Sequence, residues 1–120
     1  MTHTKSGNQL VTDAPIDNNG KGEAFSPTDL VAAGLISCMV TVMGIHADRR
    51  GLNMGNVRGF VEKTMVNAPR RIAQLNVRIE FFNHSLSTPE RQSLETIAIN
   101  CPVAASLSPE IVQQTRFIYD

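Results

Sequence analysis

Cys38 and Cys101 are the only cysteines among 120 residues, and thiol chemistry is the first chemistry this chain offers. Cys38 lies inside "FSPTDLVAAGLISCMVTVMGI", with no Asp, Glu, Lys or Arg within eight residues on either side. A free cysteine in such a run most often serves as a small hydrophobe. Cys101 opens "CPVAASL", where a proline at the first helical position follows it. A sulfur at a helix start faces unpaired N–H groups and the positive end of the helix dipole, which favour thiolate. Their spacing excludes a CxxC motif and a zinc ribbon. His3, His46 and His84 are not spaced as metal ligands, so no metal and no other cofactor is expected. Arg49, Arg50, Arg70 and Arg71 read as solvated or helix-ending charges, and "GKG" at 20–22 as a turn.

The elements that must position the two thiols follow from punctuation and period. "SPTD" starts a helix, with Ser26 as N-cap, Pro27 at the first position and Asp29 reaching back. That helix runs to "HADRRG", with cations in its last turn and Gly51 as the stop. Apolar residues point in nearly every direction around it, so burial on more than one side is expected, more than so short a chain can supply. The mismatch calls for a partner subunit. "NVRGFVEKTMV" and "IAQLNVRIEFF" alternate with period two across "NAPRR" and predict an antiparallel hairpin. "STPERQSLETIAIN" predicts a second helix capped by Thr88, "CPVAASL" a short third one, and "IVQQTRFIYD" a last strand. The polar, turn-rich first 25 residues leave room for a short strand at 9–12. The fold class is α+β, in a single domain over residues 1–120.

Eleven Lys and Arg balance eleven Asp and Glu, so there is no overall basic field to draw nucleic acid or anionic lipid. The N-terminal residues lack an apolar stretch with a small-residue cleavage site, and a cytoplasmic location is expected. The apolar run at 30–45 falls short of the roughly 20 residues that span a bilayer, so a core helix and no membrane are expected. In a reducing compartment the two cysteines form no standing structural disulfide.

"SPTDLVAAGLISC" followed some sixty residues later by "CPVAASL", with a hairpin between, resembles the OsmC/Ohr family of osmotically inducible and organic hydroperoxide resistance proteins. The resemblance runs from residue 25 onward. It implies a long buried central helix against an antiparallel sheet, in an intertwined homodimer. It also implies a thiol peroxidase in which Cys38 attacks a hydroperoxide, Cys101 resolves the sulfenic acid as a disulfide, and a dithiol reductant restores both. Family peroxidases carry a glutamate just after the Ser-Pro start and an arginine on an N-terminal strand. Here Thr28 stands at the first position, and no arginine precedes Arg49. Two functional readings stay open: reduction of organic hydroperoxides by the Cys38/Cys101 pair, or a non-catalytic homodimer that binds a small lipophilic ligand in the cleft near Cys38.

Overall fold

The computed structural model describes all 120 residues, which divide into two compact units, Met1–Val31 and Ala32–Asp120. In the first, Thr2 and Gln9 form one isolated bridge, and Asp13 Oδ2 accepts from the backbone N–H groups of Lys21 and Glu23, both at 3.2 Å. These bonds hold the loop that contains "GKG", which runs as irregular chain where a turn was expected. The strand expected at 9–12 does not form: beyond the bridge at Gln9, the chain bends through loops into a 3-10 turn at Ile16–Asn18. Asn-Asn-Gly and Gly-Lys-Gly break any ladder before it can propagate.

The unit ends in the start of helix α1, Pro27–Arg50. Its cap is reciprocal, with Asp29 N–H donating to Ser26 Oγ at 3.1 Å and Ser26 N–H to Asp29 Oδ2 at 2.9 Å. Two of the helix's orphan donors are thereby satisfied. Gly51, at φ +64°, ends the helix in the left-handed region where glycine carries no penalty.

In the second unit, strands β1 (Asn56–Val66) and β2 (Arg71–Phe82) pair antiparallel, as their alternation predicts. Helix α2 (Thr88–Ile99) and the one-and-a-half-turn α3 (Pro102–Ser106) then carry the chain to β3 (Val112–Tyr119). β3 lies parallel to β2, so the sheet is mixed, of order β1-β2-β3, where a wholly antiparallel one was expected. The helical crossover is the cause: it returns the chain to the end of the sheet at which β2 began, which a tight turn cannot do. The cap of α2 also differs by one residue. Ser87, not Thr88, accepts from Glu90 N–H, because Glu90 stands three residues after Ser87 and closes a capping box with it.

The core is a single cluster made by α1, the inward face of β2, and Leu86, Leu94, Ala98 and Cys101. Ala32, Leu35, Met39, Met43 and Ala47 form one buried stripe along α1. Ile36, Cys38, Val40 and Val42 are partly buried beside that stripe, whereas Val31 and Ile45 are exposed, so burial within one chain stops short of the several sides expected. The core cluster covers one stripe of the helix, and part of its apolar surface stays open at Val31 and Ile45. At 24 residues α1 is also longer than its apolar run, and by length and composition alone it reaches what crossing a membrane requires. At Gly59 of β1 helix and sheet approach closely: a Cβ there would stand 2.5 Å from Ile36 Cδ1.

Candidate functional site

Cys38 sits midway along α1, one residue before the fully buried Met39, and is half-buried against the core cluster. Its backbone is fixed by the helix on both sides, so the thiol can move only by rotating about its own side-chain bond. Cys101 is delivered by a different element. The chain leaves α2 at Asn100, whose side-chain amide donates to Thr96 O at 2.8 Å, and enters α3 at Pro102. Cys101 is the N-cap between the two helices, as the cysteine-proline pair predicts. Its N–H donates to Ala98 O at 3.1 Å and its carbonyl accepts from Ala105 N–H at 3.0 Å. The residue is 1% exposed.

The thiols of Cys38 and Cys101 lie near enough to act on one another, across 62 intervening residues. Both are free. Cys101 Sγ also accepts from Ala104 N–H at 3.4 Å, the arrangement of a side-chain cap. Burial pushes the Cys101 thiol up from its ordinary pKa, the amides of Ala104 and Val103 pull it down, and the adjacent Cys38 adds to the upward push. Burial dominates, so Cys101 is held as the neutral thiol, a proton donor and a latent nucleophile. No arginine or lysine is among the groups that act on it. Two neighbouring thiols, one half-buried and one buried, can lose two electrons and two protons together to an oxidant that reaches the outer sulfur.

Elsewhere, no three His, Cys, Asp or Glu side chains gather where they could hold a metal ion. A cluster the sequence did not reveal lies around Tyr119, the only tyrosine. Its hydroxyl donates to Glu95 Oε2 at 2.9 Å, and its ring stacks on Phe81 with centroids 4.7 Å apart. The Arg91 guanidinium lies 4.5 Å from the ring centroid, and His84 meets the ring edge-on. Burial, then the Glu95 carboxylate, pushes the phenol pKa far up. Arg91 and Glu95, four apart on one helix face, were the only signal. The bond from Tyr119 to Glu95 pins the end of β3 to α2.

The family model for OsmC-like proteins matches residues 20–116. No curated protein matches. Among solved structures, an osmotic stress induced and detoxification response protein from Psychrobacter arcticus is 41% identical, covers 97% of this chain and 84% of its own, and superposes with a TM-score of 0.90. The organic hydroperoxide resistance protein OsmC of Legionella pneumophila is 21% identical over 95% of this chain and 85% of its own, at a TM-score of 0.72. OhrB of Bacillus subtilis, also an organic hydroperoxide resistance protein, is 16% identical over 78% and 70%, at 0.59. At these last two identities the likeness is one of fold.

Proposed function

The chain belongs to the OsmC-like protein family, and from that premise we propose that it is a thiol-dependent redox protein that reduces organic hydroperoxides through Cys38 and Cys101. The observation that carries this reading is the nearness of the two thiols, close enough for Cys38 to act on Cys101. The Cys38 thiol attacks the outer oxygen of ROOH; the O–O bond breaks, the alcohol ROH leaves with a proton, and Cys38 becomes a sulfenic acid. The Cys101 sulfur then attacks the Cys38 sulfur, water leaves, and a disulfide forms. A dithiol reductant returns two electrons and two protons. The core cluster against which Cys38 packs is apolar, which suits a greasy peroxide.

A second reading is favoured by the missing acid and base: Thr28 stands where family peroxidases have glutamate, and no arginine precedes Arg49. On that reading the chain binds a small lipophilic ligand beside Cys38 and turns nothing over. Either way the unit is a homodimer, a reading supported by the apolar face of α1 that the chain leaves open, and it works in the cytoplasm with neither nucleic acid nor membrane as partner. Residues 1–120 form a single domain; the family match begins at residue 20, inside the first compact unit.

Thiol titration before and after one equivalent of an organic hydroperoxide separates the two. The redox reading expects both thiols to disappear in the wild type and to return with a dithiol. In Cys101→Ser it expects a Cys38 sulfenic acid that a sulfenic-specific reagent captures. Two thiols that persist through the peroxide favour the binding reading.

A further inference from the structure

The solvent face of the sheet carries a second site, on the side opposite the thiols. Phe60, Arg78 and Arg116 stand in register across β1, β2 and β3. Residues so paired share a face and are one strand spacing apart, about 4.8 Å. Two arginines side by side on neighbouring strands repel one another unless an anion lies between them. Glu80 meets only one of them: its Oε2 is 3.3 Å from Arg78 Nε as an ion pair, but off the hydrogen-bond direction, so the buried Nε has no hydrogen-bond partner. Arg116 has no ion pair. An unsatisfied guanidinium N–H is costly to leave buried and is a donor waiting for an acceptor.

The amides beside the arginines point the same way. Gln74 Nε2 donates to Asn76 Oδ1 at 2.8 Å and to Gln114 Oε1 at 3.2 Å. Both acceptor oxygens are thereby occupied, which leaves the NH2 groups of Asn76 and Gln114 free to donate. Asn76, Gln114, Arg78 and Arg116, with Phe60 and Glu62, line an open groove of about 510 Å³. That volume is in the range of small-molecule sites, roughly 300–1,000 Å³. Phe60 is 45% exposed and offers an apolar wall, already faced on one side by Arg78, whose guanidinium carbon is 4.3 Å from the ring centroid. Glu62 is the single carboxylate in the lining and sets a limit: a polyanion is repelled, whereas one compact head group between the arginines is not.

We propose that this groove binds a small organic anion, its planar or tetrahedral oxyanion held between Arg78 and Arg116 with Asn76 and Gln114 as further donors, and its apolar part against Phe60. Arginine forks match carboxylate and phosphate alike. Calorimetric titration with phenyl phosphate, benzoate and inorganic phosphate reads the site. Saturable binding of phenyl phosphate or benzoate is expected, weaker by about tenfold or more in Arg116→Gln, and unchanged in Arg50→Gln at the exposed end of α1. Whichever of the two binds tighter names the head group. Inorganic phosphate binds more weakly than either, and Phe60→Ala brings phenyl phosphate down to its level. Glu62→Gln tightens all three. Without ligand, Arg116→Gln melts no lower than the wild type, since it relieves a repulsion. No saturation by any probe at about 10 mM, or equal affinity in Arg116→Gln and wild type, overturns the proposal.

Discussion

Gly59→Ala tests how closely α1 must lie on the sheet for Cys38 to keep its place. The new Cβ would stand 2.5 Å from Ile36 Cδ1 and 3.0 Å from Cγ1, closer than carbon atoms tolerate. Ile36 must turn or the helix must lift, and overpacking of this kind costs about 1–3 kcal/mol. Against it stands the gain from replacing a strand glycine by alanine, roughly 0.5–1 kcal/mol. The net expectation is a loss of about 1 kcal/mol in urea unfolding at fixed protein concentration, with the slope unchanged. Ile36→Val removes the offending Cδ1. Alone it costs about 0.5 kcal/mol at this half-buried position, near the low end for losing one methyl. Combined with Gly59→Ala it relieves the clash, giving a favourable coupling of about 1 kcal/mol. Because Ile36 is two residues from Cys38, the single variant also slows disulfide formation and the double variant restores it. A neutral or stabilising Gly59→Ala, with no coupling to Ile36→Val, refutes the close approach.

Three other outcomes follow from the same geometry. Cys101 is raised in the folded state, chiefly by burial, so the native protein holds a proton that the unfolded chain releases above about pH 8.5; stability is constant below that and falls above it. Urea midpoints between about pH 7 and 9.5 show the fall in the wild type and not in Cys101→Ser. Tyr119 is the only tyrosine, so its phenolate absorbance reads one group, which ionises far above the ordinary value of about 10; Tyr119→Phe keeps the stacking on Phe81 and costs about 1 kcal/mol through the lost bond to Glu95. Light scattering returns twice the 13.1 kDa chain mass, whereas a value equal to it removes the dimer.

Local chemistry was legible where one residue type admits one role. The Ser-Pro-x-Asp cap, the Gly51 stop, the β1–β2 hairpin and the Cys101 cap all follow from side chains acting on backbone within four residues. The cap at Ser87 was one residue off because two adjacent hydroxyls compete, and the distance to Glu90 decides between them. The parallel placement of β3 depends on where α2 and α3 leave the chain, which no local pattern encodes. The uniform apolarity of α1 reads as burial on all sides, yet within one chain Val31 and Ile45 stay exposed. The nearness of Cys38 and Cys101 came from a resemblance, since no spacing rule brings residues so far apart together. The groove around Arg78 was hidden in an ordinary alternation, where outward-facing residues read as solvated until strand register aligns them.

Peptide mapping of the non-reduced protein after one equivalent of an organic hydroperoxide tests the central claim most directly. The account predicts one disulfide-linked peptide pair joining Cys38 to Cys101 within a single chain, two hydrogens lighter than the reduced pair, formed at a rate independent of protein concentration. Two free thiols after complete exposure, or a Cys38–Cys38 link between chains that forms faster at higher concentration, would contradict it.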